Sequence, residues 1–143
     1  MNPAARILEA LTSALFIALL APAIAGLIFV VIAAVSTTAT TEFTDRGVAS
    51  ILLLLFGAAT GAYLLGVVPS FLAGIFLPTL RRRLSLGYAA AATGLTGTLF
   101  YFLTFGLHVF TQPNPLRTIL FHAAPCFIGV AAAAAIHGYR TEA

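Results

Sequence analysis

The sequence predicts an all-α fold, an integral membrane four-helix bundle with both termini cytoplasmic. Three observations predict it. Hydrophobic residues make up 61% of the chain and charged residues only 8%, against roughly 25% charged in a soluble domain. With so few polar groups a chain of 143 residues cannot cover a globule in water, and a bilayer is its natural solvent. Second, four apolar runs, each long enough to cross hydrocarbon, are separated by polar or proline-rich breaks. Third, Arg81, Arg82 and Arg83 stand together between the second and third runs in a chain that has no lysine. A guanidinium costs about 2.5 to 3.5 kcal/mol at the centre of a membrane helix, so this triplet anchors the topology at a membrane edge.

The first run, Ile7 to Val35, is apolar apart from Glu9, Thr12 and Ser13 near its start. It exceeds the ~20 residues a span needs, so the reading puts the first two turns at the interface and the span at about 11–35. Ala23-Ile24-Ala25 has the small-x-small form of a signal cleavage site. GLIFVVIAAV follows at once, which favours an uncleaved span. Arg6, three residues before Glu9, is expected to pair with it at the interface.

A threonine-rich polar loop, Ser36 to Gly47, carries Glu42, Asp45 and Arg46. The second span is expected over 48–68. Pro69 removes the hydrogen bond to the Leu65 carbonyl and is expected to kink the helix. Ser70 to Leu77 then form a bent cytoplasmic extension that Pro78 helps to end. The third span is read as 86–110, and Gln112, Pro113, Asn114 and Pro115 stop it. The fourth is read as 116–137. The arginine loop is +3, the first loop −1 and the third, counting Arg117, +1. The positive-inside bias therefore places the arginine loop and both termini in the cytoplasm. The whole chain reads as one transmembrane domain, and a GC-rich composition (alanine-rich, arginine without lysine) points to a bacterial inner membrane.

Lipid tails are as apolar as leucine, so helices meet in membranes through small residues that let backbones approach. Gly87, Ala90, Ala91, Gly94 and Thr98 recur at spacings of three and four and predict one packing face on the third span. On the fourth, Gly129 and Ala131 to Ala135 lie at the same cytoplasmic depth. The expectation is that these two helices touch inside and splay outside. Gly57-x-x-x-Gly61 predicts a second close contact, within the bundle or with a second copy.

Candidate ligand-binding residues cluster in the outer half: His108, His122, Arg117 and Phe105. His108 and His122 are expected at similar depth, where two imidazoles could hydrogen-bond at the interface, sense pH or ligate a haem. Arg117 suits headgroup anchoring or an anionic substrate. Cys126, the single cysteine, excludes an intrachain disulfide and reads as packing. No phosphate-binding loop, hydrolase elbow, zinc-ligand set or carboxylate pair is present. The basic residues are too few and too clustered for nucleic-acid binding. The expectation is thus a non-enzymatic inner-membrane component without catalytic residues, metal or cofactor, binding another membrane protein or itself as an accessory subunit, assembly partner or immunity-type protein. A small transporter or channel with an outward-facing site is the second reading, and a haem- or quinone-linked redox subunit the third.

Overall fold

The computed structural model describes residues 2–37, 48–110 and 115–142, with side chains placed at 2–32, 53, 56, 57, 60–105, 116 and 119–141. These residues form four α-helices: α1 (Pro3–Thr37), α2 (Val48–Arg81), α3 (Leu86–Phe110) and α4 (Pro115–Glu142). Each is long and apolar enough to cross a membrane. Asn2 caps α1, its side-chain oxygen accepting from the Ala4 N–H at 3.1 Å. Pro3 and Pro115 each occupy a first helical position, where the missing N–H costs nothing. The α2–α3 turn is tight: Arg83 and Leu84 N–H groups both bond the Leu80 carbonyl, at 3.0 and 2.8 Å.

The helices form a ring in which each packs on its chain neighbour and α4 closes on α1. Neighbours run antiparallel. Ala14 lies beside Gly74 and Pro22 beside Gly66, while Gly94 meets Ala131 and Gly138 meets Leu86. On α1 and α4, Ala21 meets Gly129 and Ser13 meets His137. The start of α1, the end of α4 and the α2–α3 turn therefore share one end.

The core sits in that half of the bundle. Ile17, Ala21, Ala73, Leu77, Ala89, Val130, Ala133 and Ala134 are buried to within 1%. The outside is the reverse of a soluble protein: Leu8, Leu19, Leu53, Phe56, Leu64, Leu103 and Leu116 all present more than 60% of their surface. Exposure of this kind along all four helices suits contact with lipid. Tyr88 and Tyr139, 73% and 72% exposed, lie at the arginine end. Hydroxyls inside the helices are satisfied locally: Thr12, Ser13, Thr93, Thr96, Thr98 and Thr104 each donate to the carbonyl four residues back.

Several expectations change. α1 is one continuous helix from Pro3 to Thr37. Pro78 does not end α2, which runs three residues further to Arg81; a proline forfeits one hydrogen bond, and the surrounding helices hold the remainder of the turn. Ser70 to Leu77, expected as a bent extension of the second span, packs within the bundle. Ser70 is 2% exposed, Ala73 and Leu77 are fully buried, and Gly74 sits against the backbone of Ala14. Glu9 pairs with Arg82 at 2.7 Å, not with Arg6, because the α2–α3 turn folds back over the start of α1.

Candidate functional site: a cavity in the open half of the bundle

Beyond Ala21, Ser70 and Val130 the helices separate around a cavity of about 470 Å³. The reason lies in side-chain size. On α2 the wall is Gly57, Gly61 and Gly66, and a Cβ built on either of the first two would meet nothing within 4 Å. Within the bundle these two glycines make no close helix contact and leave bare backbone beside the void. Leu65 lines the cavity and is 40% exposed, so this side of the wall is open rather than sealed by packing.

The opposite walls carry rings. Phe29 of α1 and Phe121 of α4 meet edge to face with centroids 4.9 Å apart. Tyr101 of α3, 8% exposed, has its hydroxyl 3.1 Å from His122 Nδ1 on α4. Both residues line the cavity, as do Ser70 and Cys126. No charged side chain is among the described lining residues. Pro22 and Pro125 line it too, and Pro69 adjoins Ser70. A proline has no N–H, so Pro69 and Pro125 leave the carbonyls of Leu65 and Phe121 without their helical donor. Both of those residues belong to the cavity wall.

Of the predicted ligand-binding residues, His122 lies in this wall. Phe105 is half-buried and its ring touches Tyr101, centroids 5.6 Å apart, one layer behind. The side chains of His108 and Arg117, like the loop residues 38–47 and 111–114, lie outside the described residues. Tyr101 was missed as the partner of His122. The signal was available: the two residues stand at nearly equal distances on either side of the α3–α4 connection, so antiparallel pairing brings them level.

The predicted packing residues divide. A Cβ on Gly94 would come within 2.9 Å of the Phe127 carbonyl and 3.0 Å of Ala131, a close α3–α4 approach. Gly97, opposite Val130 at 2.9 Å, belongs to the same face. Gly87 has nothing within 4 Å and Ala91 is only half-buried, because the contact face runs through Ala90, Thr93, Gly94 and Gly97 instead. Gly129 faces α1: a Cβ there would come within 2.7 Å of the Ala21 carbonyl. α3 and α4 do not splay apart outside, since the Tyr101–His122 bond joins them there; the space opens between α1, α2 and α4.

At the arginine end a second polar group closes the bundle. Ser13 Oγ lies 2.9 Å from His137 Nε2, and Phe16 packs on the same imidazole at 5.0 Å. The Arg140 guanidinium lies over Phe16 at 5.8 Å, and Arg81 donates to Thr141. A serine beside a histidine has the composition of a nucleophile and its base. Here Ser13 is 2% and His137 9% exposed, and neither lines a described cavity, so the pair reads as a clamp of α1 on α4. A shallower groove of about 450 Å³ runs outside it between Phe16, Leu19, Tyr63 and Arg140. Among the described residues no group of three or more His, Cys, Asp or Glu side chains could hold a metal ion.

No family model, curated protein or solved structure matches this chain.

Proposed function

We propose that the chain is a non-enzymatic binding component of the bacterial inner membrane, with its arginine turn and both termini cytoplasmic, and that its cavity holds a neutral, lipid-soluble small molecule. The observation that carries this reading is the cavity itself. Its volume of about 470 Å³ falls in the range of about 300–1,000 Å³ typical of ligand sites. Its walls are carbon with a few convergent polar groups, the usual composition of such sites. The sequence alone favoured a protein partner engaged through small-residue faces. Gly57 and Gly61, the pair best suited to that role, border the cavity, and this shifts the ligand from a protein to a small molecule.

The test is extraction. Solvent extracts of the gently purified protein, analysed by mass spectrometry, should contain a near-stoichiometric lipophile that is depleted from the Gly61→Leu variant, whose side chain would fill the void. Circular dichroism shows whether that variant is folded. Identical extracts from both folded proteins would overturn the reading. For orientation, Thr41→Cys and Ser85→Cys are introduced singly into a Cys126→Ala background. An impermeant thiol reagent added to intact spheroplasts should label the first and not the second; the reverse pattern inverts the topology.

A further inference from the structure

Resting on that reading, we infer that the ligand is a lipid-soluble quinone or its quinol, held by its ring oxygens at the Tyr101–His122 pair. The first constraint is charge. Among the described lining residues no side chain is charged, so they offer an ionic ligand nothing to offset desolvation, which is severe for an unpaired charge. The ligand is therefore neutral.

The second constraint is a count of protons. A neutral imidazole has one N–H donor and one acceptor nitrogen, and a phenol has one O–H donor and an acceptor oxygen. One donor and one acceptor are consumed in the Tyr101–His122 bond at 3.1 Å. One donor remains in either tautomer. If the phenol donates to Nδ1, the spare proton is on Nε2; if Nδ1 donates, the spare proton is on the phenol oxygen. In each case the pair keeps an acceptor as well. A ligand carbonyl meets the donor and a ligand hydroxyl meets the acceptor, so the same two residues suit a quinone and its quinol. A hydrocarbon or acyl chain would leave these groups unused.

The third constraint is the acceptor surplus supplied by the prolines. The Leu65 and Phe121 carbonyls, released by Pro69 and Pro125, lie in wall residues, and hydroxyl groups of a quinol are suitable donors to them. The fourth is shape. Gly57 and Gly61 stand one helical turn apart with no heavy atom within 4 Å of either built Cβ. This strip of bare backbone faces a cavity whose far side carries Phe29, Phe121 and Tyr101. A flat ring fits between a side-chain-free strip and aromatic rings, whereas a branched or globular lipid does not use that flatness. An alkyl or prenyl tail can leave by the open side of the cavity beside Leu65, a wall residue that is 40% exposed.

The test uses the full chain in nanodiscs free of native quinone, with native mass spectrometry as the readout and three probes: decyl-benzoquinone, decylbenzene and dodecanol. The quinone should bind at least ten-fold tighter than either of the others. Tyr101→Phe and His122→Phe, checked for unchanged melting, should reduce that preference to less than three-fold, and Gly61→Leu should abolish binding of every probe. Equal binding of decylbenzene or dodecanol, still lost in Gly61→Leu, overturns the quinone inference while leaving the cavity as a binding site. Retention of the quinone preference in both ring variants overturns it too. Absence of binding by all three probes, in wild type and Gly61→Leu alike, overturns the cavity reading itself.

Discussion

The two ends of this bundle are built from similar helices and do opposite things with glycine. At the arginine end Gly74, Gly94, Gly97 and Gly129 each stand where a Cβ would come within 3.0 Å of a neighbouring helix. Their missing side chains are spent on backbone contact, and the result is a core of alanines and single large residues such as Ile17 and Leu77, all fully buried. At the other end Gly57 and Gly61 meet nothing within 4 Å, and their missing side chains become empty volume. The lesson is that a small residue in a membrane helix specifies only that space exists beside the backbone. Whether a helix or a ligand occupies it depends on what the neighbouring helices present at that level. Opposite Gly74 they present the backbone of Ala14; opposite Gly57 and Gly61 they hold the bulky Phe29 and Phe121 rings at a distance.

The largest effect should come from adding one methyl group at each end. Gly74→Ala would place a carbon 2.6 Å from Ala14 Cα, and Gly129→Ala one 2.7 Å from the Ala21 carbonyl. Backbone cannot rotate out of the way, so each change should destabilise by about 1–3 kcal/mol, the usual range for overpacking. Gly57→Ala and Gly61→Ala should instead be neutral or stabilising by up to about 1 kcal/mol, through the lost flexibility of glycine in a helix. Reversible unfolding in mixed micelles, followed by circular dichroism, measures all four. Equal losses at both ends would erase the distinction between packed and open halves.

The outline of this arrangement was legible in the sequence, and its rotation was not. Helix number, helix limits near Val48, Leu86 and Phe110, and the gathering of Arg6, the arginine triplet and Arg140 at one end follow from hydropathy and charge alone. What a single helix cannot reveal is which way each face points. Gly87, Ala91 and Gly94 obey the same spacing as Ala90, Gly94 and Gly97, and only the position of Phe127 and Val130 on α4 decides between them. Depth was harder still. Nothing in the composition of Ser70 to Leu77 marks it for the core, and its burial accompanies the Gly74–Ala14 contact, a pairing across two helices. Tyr101 escaped notice for a similar reason: a tyrosine among phenylalanines has no local mark until His122 is placed opposite.

A smaller contrast separates the two histidine pairs. Removing the serine hydroxyl in Ser13→Ala leaves a buried His137 ring nitrogen without its 2.9 Å partner, in a place that no described cavity reaches. Hydrogen bonds between membrane helices average about 0.6 kcal/mol and reach about 1.7, and this buried one should lie in the upper part of that range. Tyr101→Phe removes a bond of similar length at the open end. There the His122 nitrogen borders a cavity in which ligand or water can replace the phenol, so the loss should be under about 0.5 kcal/mol. The same unfolding measurement ranks them, and a greater cost for Tyr101→Phe in ligand-free protein would show that the open half depends on its polar pair as much as the packed half does.

The smallest effect is expected where the packed end meets water. Glu9 and Arg82 pair at 2.7 Å, but their side chains remain 46% and 42% exposed. An ion pair so open to solvent loses much of its attraction to screening and to the entropy of holding two long side chains, and contributes about 0.2–1 kcal/mol. Glu9→Gln should fall at the bottom of that span. Arg82 has a further interaction of its own, so the substitution does not leave a guanidinium stranded. The difference from wild type should shrink further when unfolding is repeated in 0.5 M rather than 0.05 M NaCl, because the screening length falls with ionic strength. A cost above 1 kcal/mol that survives high salt would mean that the charged turn is a structural lock on α1. The stability of the packed half would then rest on that lock as well as on its glycine contacts.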